Sequence, residues 1–457
     1  MYVPRTVIKL LGDKSETLIP FPYFRGLRFA KFYELVSKTQ YFPFNKIREF
    51  QEQKLKSLVK HAYENVPYYR QIFEKKGLTP SNIHTIADLQ KIPVLTKDDV
   101  RRYSEILCAK NMRRFLPVPI ETGGTTGKSL RIYGDMRQLD WHMAVVWRYR
   151  NWAGFKYGDK WIEMRYRFSD LEQKTRLGVH YSVNGNTLYM SSFHLGQKTL
   201  PDYVMLIKKF RPKALYGFPS MLFVLARYIL SHNFKVGIDA IFTSSETLFS
   251  WQRETIKKAF SCKVFDFYGS NESVISAAQC PEGNYHVNCE VGILEVVDNE
   301  GSNVDNGHIG LVVATGLHHY AMPLIRYKLG DLVRLSENPC RCGRTLPIIE
   351  SIEGRLDDII ITGDGKFVGR LDEAFHHSYG IKEAQIIQKE AGKMVVKIVK
   401  DGTFSIRDVK ILDEELKKRL GNSMMIDYDY VEDIPRTTMG KYKFVVSEVA
   451  NKYLNDI

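Results

Sequence analysis

The stretch ETGGTTGKSL, residues 121–130, has the composition of a loop that binds phosphate. Its glycines let backbone N–H groups approach an anion closely, its threonines add hydroxyl donors, and Lys128 adds a positive charge. The Walker A pattern G-x-x-x-x-G-K-[ST] fits only in part, because residues 127–129 match its end while Thr122 stands at its first glycine. On this motif alone, a nucleotide-binding loop of another kind and a glycine-rich surface turn both stay open.

The charge balance of the chain is basic. Its 457 residues carry 66 Lys and Arg against 52 Asp and Glu, a formal net charge of +14. Such an excess could serve a nucleic acid, an anionic membrane surface or a polyanionic small molecule. The basic residues are scattered in short groups, and no zinc-finger, homeodomain or RNP-type signature occurs. We therefore expect no nucleic-acid partner.

The N-terminal sequence lacks the apolar stretch and small-residue cleavage site of a signal peptide. The longest apolar run, near residues 221–230, is interrupted by Arg227 and is far shorter than the roughly 20 residues of a membrane-spanning helix. Six cysteines in a chain of this length do not indicate a disulfide scaffold. These features predict a cytoplasmic protein with no transmembrane segment.

Hydrophobic periodicity predicts an α/β fold. Residues 1–115 show mainly helical spacing, and residues 116–355 alternate short apolar runs with helical stretches, which is typical of α/β order. We predict a large N-terminal domain over residues 1–355, with a helical N-terminal region and mixed sheets. A small, mobile α+β C-terminal domain over residues 356–457 follows, hinged near Asp357.

The predicted small domain has its own element order. The stretch RLDEAFHHSYG predicts a helix, EAQIIQK and KMVVKIVK predict strands, and VKILDEELKKRL predicts a second helix. The stretch MIDYDYV is predicted as the final strand.

Four motif regions occur in a fixed order: TGGTTGKS at 122, FDFYGSNES at 265, PLIRYKLGDLVRL at 323 with GRLDD at 354, and PRTTMGKYKF at 435. Their spacing suits one large and one small domain. With these motifs the chain resembles the adenylate-forming superfamily of acyl-CoA synthetases, non-ribosomal peptide adenylation domains and luciferases. Within it, the resemblance is strongest to the phenylacetate-CoA ligase family, in its CapK-like and coenzyme F390 synthetase-like branch. It extends over nearly the whole chain.

The resemblance assigns the glycine-rich loop to ATP. It implies that Thr125, Thr126 and Lys128, with Gly127 between them, bind the β- and γ-phosphates that leave as pyrophosphate. The family loop differs from Walker A, so the mismatch at Thr122 does not count against a nucleotide site.

The stretch FDFYGSNES matches a tyrosine-glycine-x-x-glutamate motif of the family. The resemblance implies that Glu272 binds Mg²⁺, which prefers hard carboxylate oxygens, and that Tyr268 presents its ring to the adenine. Gly269, Ser270 and Asn271 complete this nucleotide-binding loop.

Two further motifs are expected to contact the nucleoside. Ser244, Ser245 and Glu246, in TSSET, resemble the family loop that lines the purine. Asp331, in YKLGD, matches the aspartate that accepts both ribose hydroxyls, and Arg355 resembles its ribose- and phosphate-facing companion.

The C-terminal motif supplies the predicted catalytic lysine. Asp357 falls at the family's hinge, and Lys441 matches the lysine that the small domain inserts beside the carboxylate and the α-phosphate. Its charge would offset the negative charge that accumulates when one anion attacks another. Together with Lys128 and Glu272, Lys441 makes up the predicted catalytic set. Retention of these charged residues argues against the alternative, a non-catalytic nucleotide-binding scaffold.

The cysteines suggest a metal site. Cys280 and His286 lie in CPEGNYHVNC, and Cys340 and Cys342 lie in NPCRCGR. Thiolate and imidazole donors of this kind suit tetrahedral Zn²⁺, and some relatives carry a comparable cluster. Cys289 could replace one ligand, and ordinary reduced cysteines are the alternative interpretation.

The predicted reaction is activation of a small-molecule carboxylic acid by MgATP to an acyl adenylate. The acyl group then passes to the thiol of coenzyme A, to a carrier thiol, or to an amine or hydroxyl of a sugar in surface polysaccharide biosynthesis. Peripheral association with membrane glycan machinery and a homodimer are further expectations. Arg148, Arg150 and Arg165 are candidate counter-charges for the acid, whose identity the sequence does not give.

Overall fold

The computed structural model describes residues 22, 25–122, 130–165, 177, 179–182, 185–191, 195, 198–355, 360–363, 367–368, 371–375, 378, 380–436 and 442–449. Helices predominate before residue 117. They are α1 (Leu27–Thr39), α2 (Phe44–Asn65), α3 (Pro67–Lys75) and α4 (Lys97–Arg102). Proline at the first position of α3 separates it from α2, because a proline lacks the N–H that would continue the α2 hydrogen bonds.

The following region alternates strands and helices. Its elements are β1 (Pro117–Thr122), β2 (Leu130–Asp135), α5 (Met136–Trp152), β3 (Trp161–Arg165), β4 (Val179–Tyr181), β5 (Thr187–Ser191), α6 (Leu200–Phe210), β6 (Ala214–Gly217), α7 (Pro219–Ser231), β7 (Ala240–Ser244), α8 (Ser250–Phe260), β8 (Lys263–Gly269), β9 (Ser276–Gln279), β10 (Tyr285–Val287), β11 (Gly292–Val297), β12 (Ile309–Gly316), β13 (Tyr327–Leu335) and β14 (Ile348–Arg355).

Within the described residues, twelve of these strands form one sheet in the order β11-β12-β13-β14-β10-β9-β8-β7-β6-β3-β5-β4. The neighbours β5, β3, β6, β7 and β8 run parallel, and the pairs from β8 to β11 are antiparallel. Strands β1 and β2 form a separate antiparallel pair. The α/β class with a mixed sheet is confirmed.

Helices cover both faces of the parallel half of this sheet. Leu215 and Ile241 pack with α6, α7 and α8, whereas Phe242 and Phe265 pack with α1 and α5. Successive residues of a strand point to opposite faces, so both faces are apolar. The antiparallel half packs against α2 and α3. This packing fixes the strand ends on which the predicted site residues lie.

The C-terminal elements are β15 (Ile360–Ile361), β16 (Phe367–Val368), β17 (Ile381–Glu390), β18 (Lys393–Lys400), α9 (Ile406–Leu420), β19 (Met425–Tyr430) and β20 (Val445–Ser447). Four of them form a sheet of order β19-β18-β17-β20. A small α+β unit is thereby confirmed, whereas the exact division after residue 355 stays a prediction.

One sequence-based element prediction was wrong in this unit. The helix expected at RLDEAFHHSYG is a 3₁₀ helix in the described residues, Leu371–Phe375. The stretch MIDYDYV does form β19, but it is not the final strand, because β20 follows and pairs in parallel with β17. A three-residue strand carries too little alternation to be seen in the sequence.

A buried ion pair joins three parts of the large region. Arg148, on α5, donates to Glu290 at 2.5 Å and to the Val36 carbonyl of α1 at 2.8 Å. It also donates to Asn288 at 2.7 Å, and Thr39 donates to Glu290. The two charged side chains are 2% and 0% exposed. Arg148 is therefore a structural residue and not the substrate counter-charge that its position in the sequence suggested.

Replacing Glu290 with Ala should leave the Arg148 charge buried without its anion. Breaking a buried pair from one side typically costs about 3–5 kcal/mol, so we expect a large drop in the thermal unfolding temperature measured by calorimetry. Glu74→Ala removes a solvent-exposed partner of Arg70 and should change that temperature little. Equal shifts in the two variants would contradict this interpretation.

Candidate active site and metal centre

Two loops of the candidate site follow the carboxyl ends of neighbouring parallel strands, whereas Asp331 lies on the antiparallel strand β13. Ser244 ends β7 and Gly269 ends β8, so the two loops that follow lie side by side. In open α/β sheets this edge is where ligands bind. Ser245 has a φ of 72°, in the left-handed region, which turns the chain sharply away from β7.

Tyr268 and Asp331 meet although their strands are not neighbours. The Tyr268 hydroxyl donates to Asp331 Oδ2 at 2.7 Å, and Asp331 is 8% exposed. Three strands separate β8 from β13 in the sheet order, which in a flat sheet would place them about 19 Å apart at about 4.8 Å per strand. The sheet must therefore curve strongly to bring the two side chains together.

A second tyrosine completes a reciprocal arrangement. Tyr327 donates to Glu272 Oε1 at 2.9 Å, and Glu272 is 5% exposed. Thus a tyrosine of β8 holds a carboxylate of β13, while a tyrosine of β13 holds the carboxylate after β8. We call these four residues the tyrosine–carboxylate pairs. Sequence reasoning missed Tyr327, although its spacing of four residues from Asp331 places both on one face of β13.

The remaining residues of the loop after β8 differ in their exposure to solvent. Ser270 has a buried hydroxyl without a hydrogen-bond partner among the described atoms, and Asn271 is exposed. Ser273 N donates to the Ser270 carbonyl at 3.0 Å and closes the turn. A buried hydroxyl that lacks a partner is a group that a bound ligand could satisfy.

The loop after β7 is held by neighbouring strands and helices. Ser244 Oγ lies 2.7 Å from the Tyr216 hydroxyl. Glu246 accepts hydrogen bonds from Ser220 N at 3.0 Å, from Ser220 Oγ at 3.1 Å and from Tyr442 N at 3.1 Å. Burial raises the pKa of Glu246, although these donors oppose the shift. Sequence reasoning missed Ser220 and Tyr442, and the predicted purine-lining role of Glu246 stays a prediction.

The face of α5 towards the sheet combines aromatic and polar groups. The Arg150 guanidinium lies 4.8 Å from the Trp147 ring centre and 4.3 Å from that of Trp161. The Tyr149 hydroxyl is buried with no hydrogen-bond partner in the described part of the chain, and burial raises its pKa well above the usual value. Burial lowers the pKa of His142 to about 4, so its ring is neutral at pH 7.

Several predicted site residues lie outside the described residues. They are Thr125, Thr126, Gly127, Lys128, Asp357 and Lys441. The backbone of Arg355 pairs with Asp331 between β14 and β13, which agrees with their expected proximity. The side chains of Arg355 and Arg165 lie outside the described atoms.

The predicted metal ligands converge. The donor atoms of Cys280, His286, Cys340 and Cys342 all lie within 4.8 Å of one another. The Cys280 and Cys340 sulfurs are 3.7 Å apart, and Cys342 Sγ lies 3.2 Å from His286 Nε2. A tetrahedral zinc ion with bonds to sulfur of about 2.3 Å would place two sulfurs about 3.8 Å apart, so these donors fit it. Cys289 is buried outside this group.

Neighbouring groups influence the protonation state of each donor. His286 Nδ1 lies 3.1 Å from the Leu346 carbonyl, which can only accept, so Nδ1 carries the proton and Nε2 keeps its lone pair. Burial lowers the pKa of His286 to about 4 and raises the pKa of Cys280 to about 12. Burial also opposes ionisation of Cys340, yet N–H donors from Cys342 and Asn284 bring the pKa of its thiol below the usual value.

The loop that carries the last two cysteines also contacts the N-terminal helices. Thr345 N donates to the Gln40 carbonyl at 3.0 Å, and Gln40 Oε1 accepts from Arg344 at 3.0 Å. Trp152, at the end of α5, donates to the same Gln40 oxygen at 2.8 Å. The loop after Cys342 thus contacts the end of α1, and the Gln40 side chain links it to the end of α5.

Comparison with known proteins shows that this fold is shared with solved structures of ligases. A solved structure of 2-hydroxyisobutyryl-CoA ligase in the postadenylation state superimposes with a TM-score of 0.72 at 19% identity, covering 91% of this chain and 94% of that one. Residues 360–448 match the family described as the CapK C-terminal domain.

The curated relatives narrow the assignment. Protein CapK of Staphylococcus aureus is 27% identical over 413 residues, which cover 89% of this chain and 90% of CapK. The phenylacetate-coenzyme A ligase of Thermus thermophilus is 28% identical over 334 residues, covering 70% and 72% of the two chains. The predicted resemblance to the phenylacetate-CoA ligase family and its CapK-like branch is confirmed. No helix in the described part of the chain is long and apolar enough to cross a membrane.

If these four donors hold a metal ion, replacing Cys340 with Ser should remove it and lower the melting temperature by at least about 5 °C, because metal ligation contributes folding free energy. Elemental analysis and calorimetry measure the two effects. Cys262→Ser changes a half-buried cysteine outside the cluster and should alter neither quantity. Wild-type protein that contains no metal after production in zinc-supplemented medium would contradict the assignment.

Proposed function

We propose that this chain is an ATP-dependent ligase that activates a carboxylic acid as an acyl adenylate with release of pyrophosphate. The tyrosine–carboxylate pairs carry the proposal, because they hold two buried anionic groups at the strand edge where α/β sheets bind ligands. The relatives named phenylacetate-coenzyme A ligase and the adenylate-bound ligase structures support it.

Each member of the pairs has a distinct task. Glu272 is oriented by the Tyr327 hydroxyl and offers a hard carboxylate oxygen, which suits Mg²⁺. The ion would neutralise charge on the ATP phosphates. Asp331 is oriented by Tyr268 and can accept two ribose hydroxyls with its two oxygens. The ring of Tyr268 is then fixed beside the nucleoside.

In the proposed step, an oxygen of the acid attacks the α-phosphorus of ATP. The bond between the α-phosphorus and the oxygen bridging to the β-phosphate breaks, and pyrophosphate leaves with that electron pair. Lys441 would offset the charge that accumulates between the two anions, and Lys128 with Thr125 and Thr126 would hold the departing phosphates. We propose that the small domain, residues 356–457, moves about Asp357 between this step and acyl transfer.

We further propose that the ion held by the four cysteine and histidine donors is Zn²⁺ and that its role is structural. Four protein ligands fill a tetrahedral shell and leave no position for a substrate, as in structural rather than catalytic zinc sites. The loop after Cys342 hydrogen bonds to Gln40 at the end of α1, so the ion would stabilise the position of that helix.

Wild-type protein should catalyse pyrophosphate–ATP exchange with at least one member of a panel of carboxylic acids. Glu272→Gln should raise the Mg²⁺ concentration for half-maximal exchange by about 10-fold, because it removes a metal ligand. Tyr327→Phe keeps the carboxylate and should cause a smaller shift. Exchange with no acid in the panel, together with intact ATP binding, would favour a non-catalytic nucleotide-binding scaffold.

The acceptor that we propose is the thiol of coenzyme A. The names of the phenylacetate-coenzyme A ligases and the basic balance of the chain support a phosphate-bearing thiol. With the acid found by exchange, coenzyme A should give a thioester at least about 100-fold faster than a sugar amine gives an amide, as measured by mass spectrometry. Desulfo-coenzyme A is the matched control. Preferential amide or ester formation would assign the chain to glycan modification instead.

A further inference from the structure

Glu246 lies where the C-terminal unit touches the large region. It is half-buried, and its two oxygens accept from Ser220 N, Ser220 Oγ and Tyr442 N at 3.0, 3.1 and 3.1 Å. Ser220 belongs to the first turn of α7, where unpaired N–H groups favour a negative charge. The carboxylate is therefore fixed by the large region and offers one oxygen to the C-terminal unit.

The residue that meets Glu246 is fixed from its own side. The Tyr442 hydroxyl donates to the Ala384 carbonyl of β17, and the Arg436 guanidinium lies 4.6 Å from the Tyr442 ring centre. Gln385 donates to the Lys443 carbonyl at 2.9 Å. The backbone N–H of Tyr442 thus points to Glu246 from a segment that is anchored to the small sheet.

Aromatic packing supports the same contact. The rings of Phe249 and Phe444 lie 5.1 Å apart in a T-shaped arrangement, and Phe249 belongs to the hydrophobic cluster of the C-terminal unit. Phe249 lies three residues beyond Glu246, and Phe444 lies two residues beyond Tyr442. The two segments therefore meet through both a polar and an apolar contact.

We propose that Glu246 is a positioning residue that places the segment carrying Lys441 for acyl-adenylate formation. The nitrogen that Glu246 holds is bonded covalently to the carbonyl carbon of Lys441, and the peptide unit between the two residues is planar. Holding that nitrogen restrains the peptide unit that joins Lys441 to the anchored segment. This inference rests on the proposed function, since it takes Lys441 as the catalytic lysine.

This positioning role differs from the purine-lining role that the sequence predicts for Glu246. A residue that contacts the nucleotide changes the affinity for ATP when it is removed, whereas a residue that positions a catalytic group changes the turnover number and leaves nucleotide affinity intact. A displacement of about 1 Å of a catalytic group can cost about 100-fold in rate. Loss of the Glu246 carboxylate is therefore expected to appear in kcat.

The test compares Glu246→Ala with Glu246→Gln and Asp401→Ala in the full chain. Glu246→Ala should lower kcat of pyrophosphate exchange by about 100-fold and change KM for ATP by less than about 2-fold. Glu246→Gln keeps one acceptor oxygen and should recover most of that loss. Asp401 pairs with Arg227 between the same two parts of the chain at 3.1 Å, and its removal should leave exchange nearly unchanged.

A second measurement does not require activity. Trypsin cleaves after lysine, and the bond between Lys441 and Tyr442 is the one whose nitrogen Glu246 holds. Mass spectrometry should show that cleavage at this bond accelerates by about 10-fold in Glu246→Ala and stays unchanged in Asp401→Ala, because only the first variant frees the peptide.

Equal cleavage in wild type and Glu246→Ala would overturn the inference, as would an increase in KM for ATP without loss of kcat. Equal acceleration in Asp401→Ala would also overturn it, because general undocking would then explain the effect. If wild-type protein exchanges with no acid while the cleavage pattern holds, the proposed reaction fails and the contact between Glu246 and Tyr442 stands.

Discussion

The buried ion pair of Arg148 and Glu290 is the constraint on which the large region depends. Removing two charges from water is costly, and their mutual attraction together with hydrogen bonds to neighbouring groups offsets that cost. Here the partners come from α1 and from Asn288, so these segments must occupy one relative position. Asn288 in turn donates to Ser276 at 2.8 Å, and Ser276 pairs with Gly269 at the end of β8. The ion pair is thereby linked through two residues to the loop that carries Glu272.

The strong curvature of the sheet likewise determines which residues of the site meet. Tyr268 and Asp331 lie on strands with three others between them, and they can hydrogen bond only because the sheet turns back on itself. The site therefore combines the parallel half of the sheet, which supplies the end of β8, with the antiparallel half, which supplies Asp331 and Tyr327. Neither half contains a complete set of the four groups.

Much of the site could be predicted from the sequence, because the motifs fix residue types whose positions along strands are regular. Tyr268 contacts Asp331, and the four cysteine and histidine donors lie near one another, whereas their roles toward ATP and a metal ion stay predictions. Partners such as Ser220 could not be predicted, since they join elements that are distant in the chain. Arg148 was misjudged for a related reason: α5 is buried on several sides, so its sequence shows no single polar face from which an exposed arginine could be told.

The position of β14 has a consequence for how the protein is made. This strand, residues 348–355, inserts between β10 and β13, which precede it in the chain. During synthesis on the ribosome, β10 and β13 therefore present two unpaired strand edges until residue 355 has emerged. Closing the sheet joins segments such as residues 285–286 and 348–349, which are far apart in sequence, and pairings of this kind form slowly. The nascent chain is accordingly most exposed to wrong association between the synthesis of β10 and that of β14, and a pause in translation within this interval would prolong that exposure.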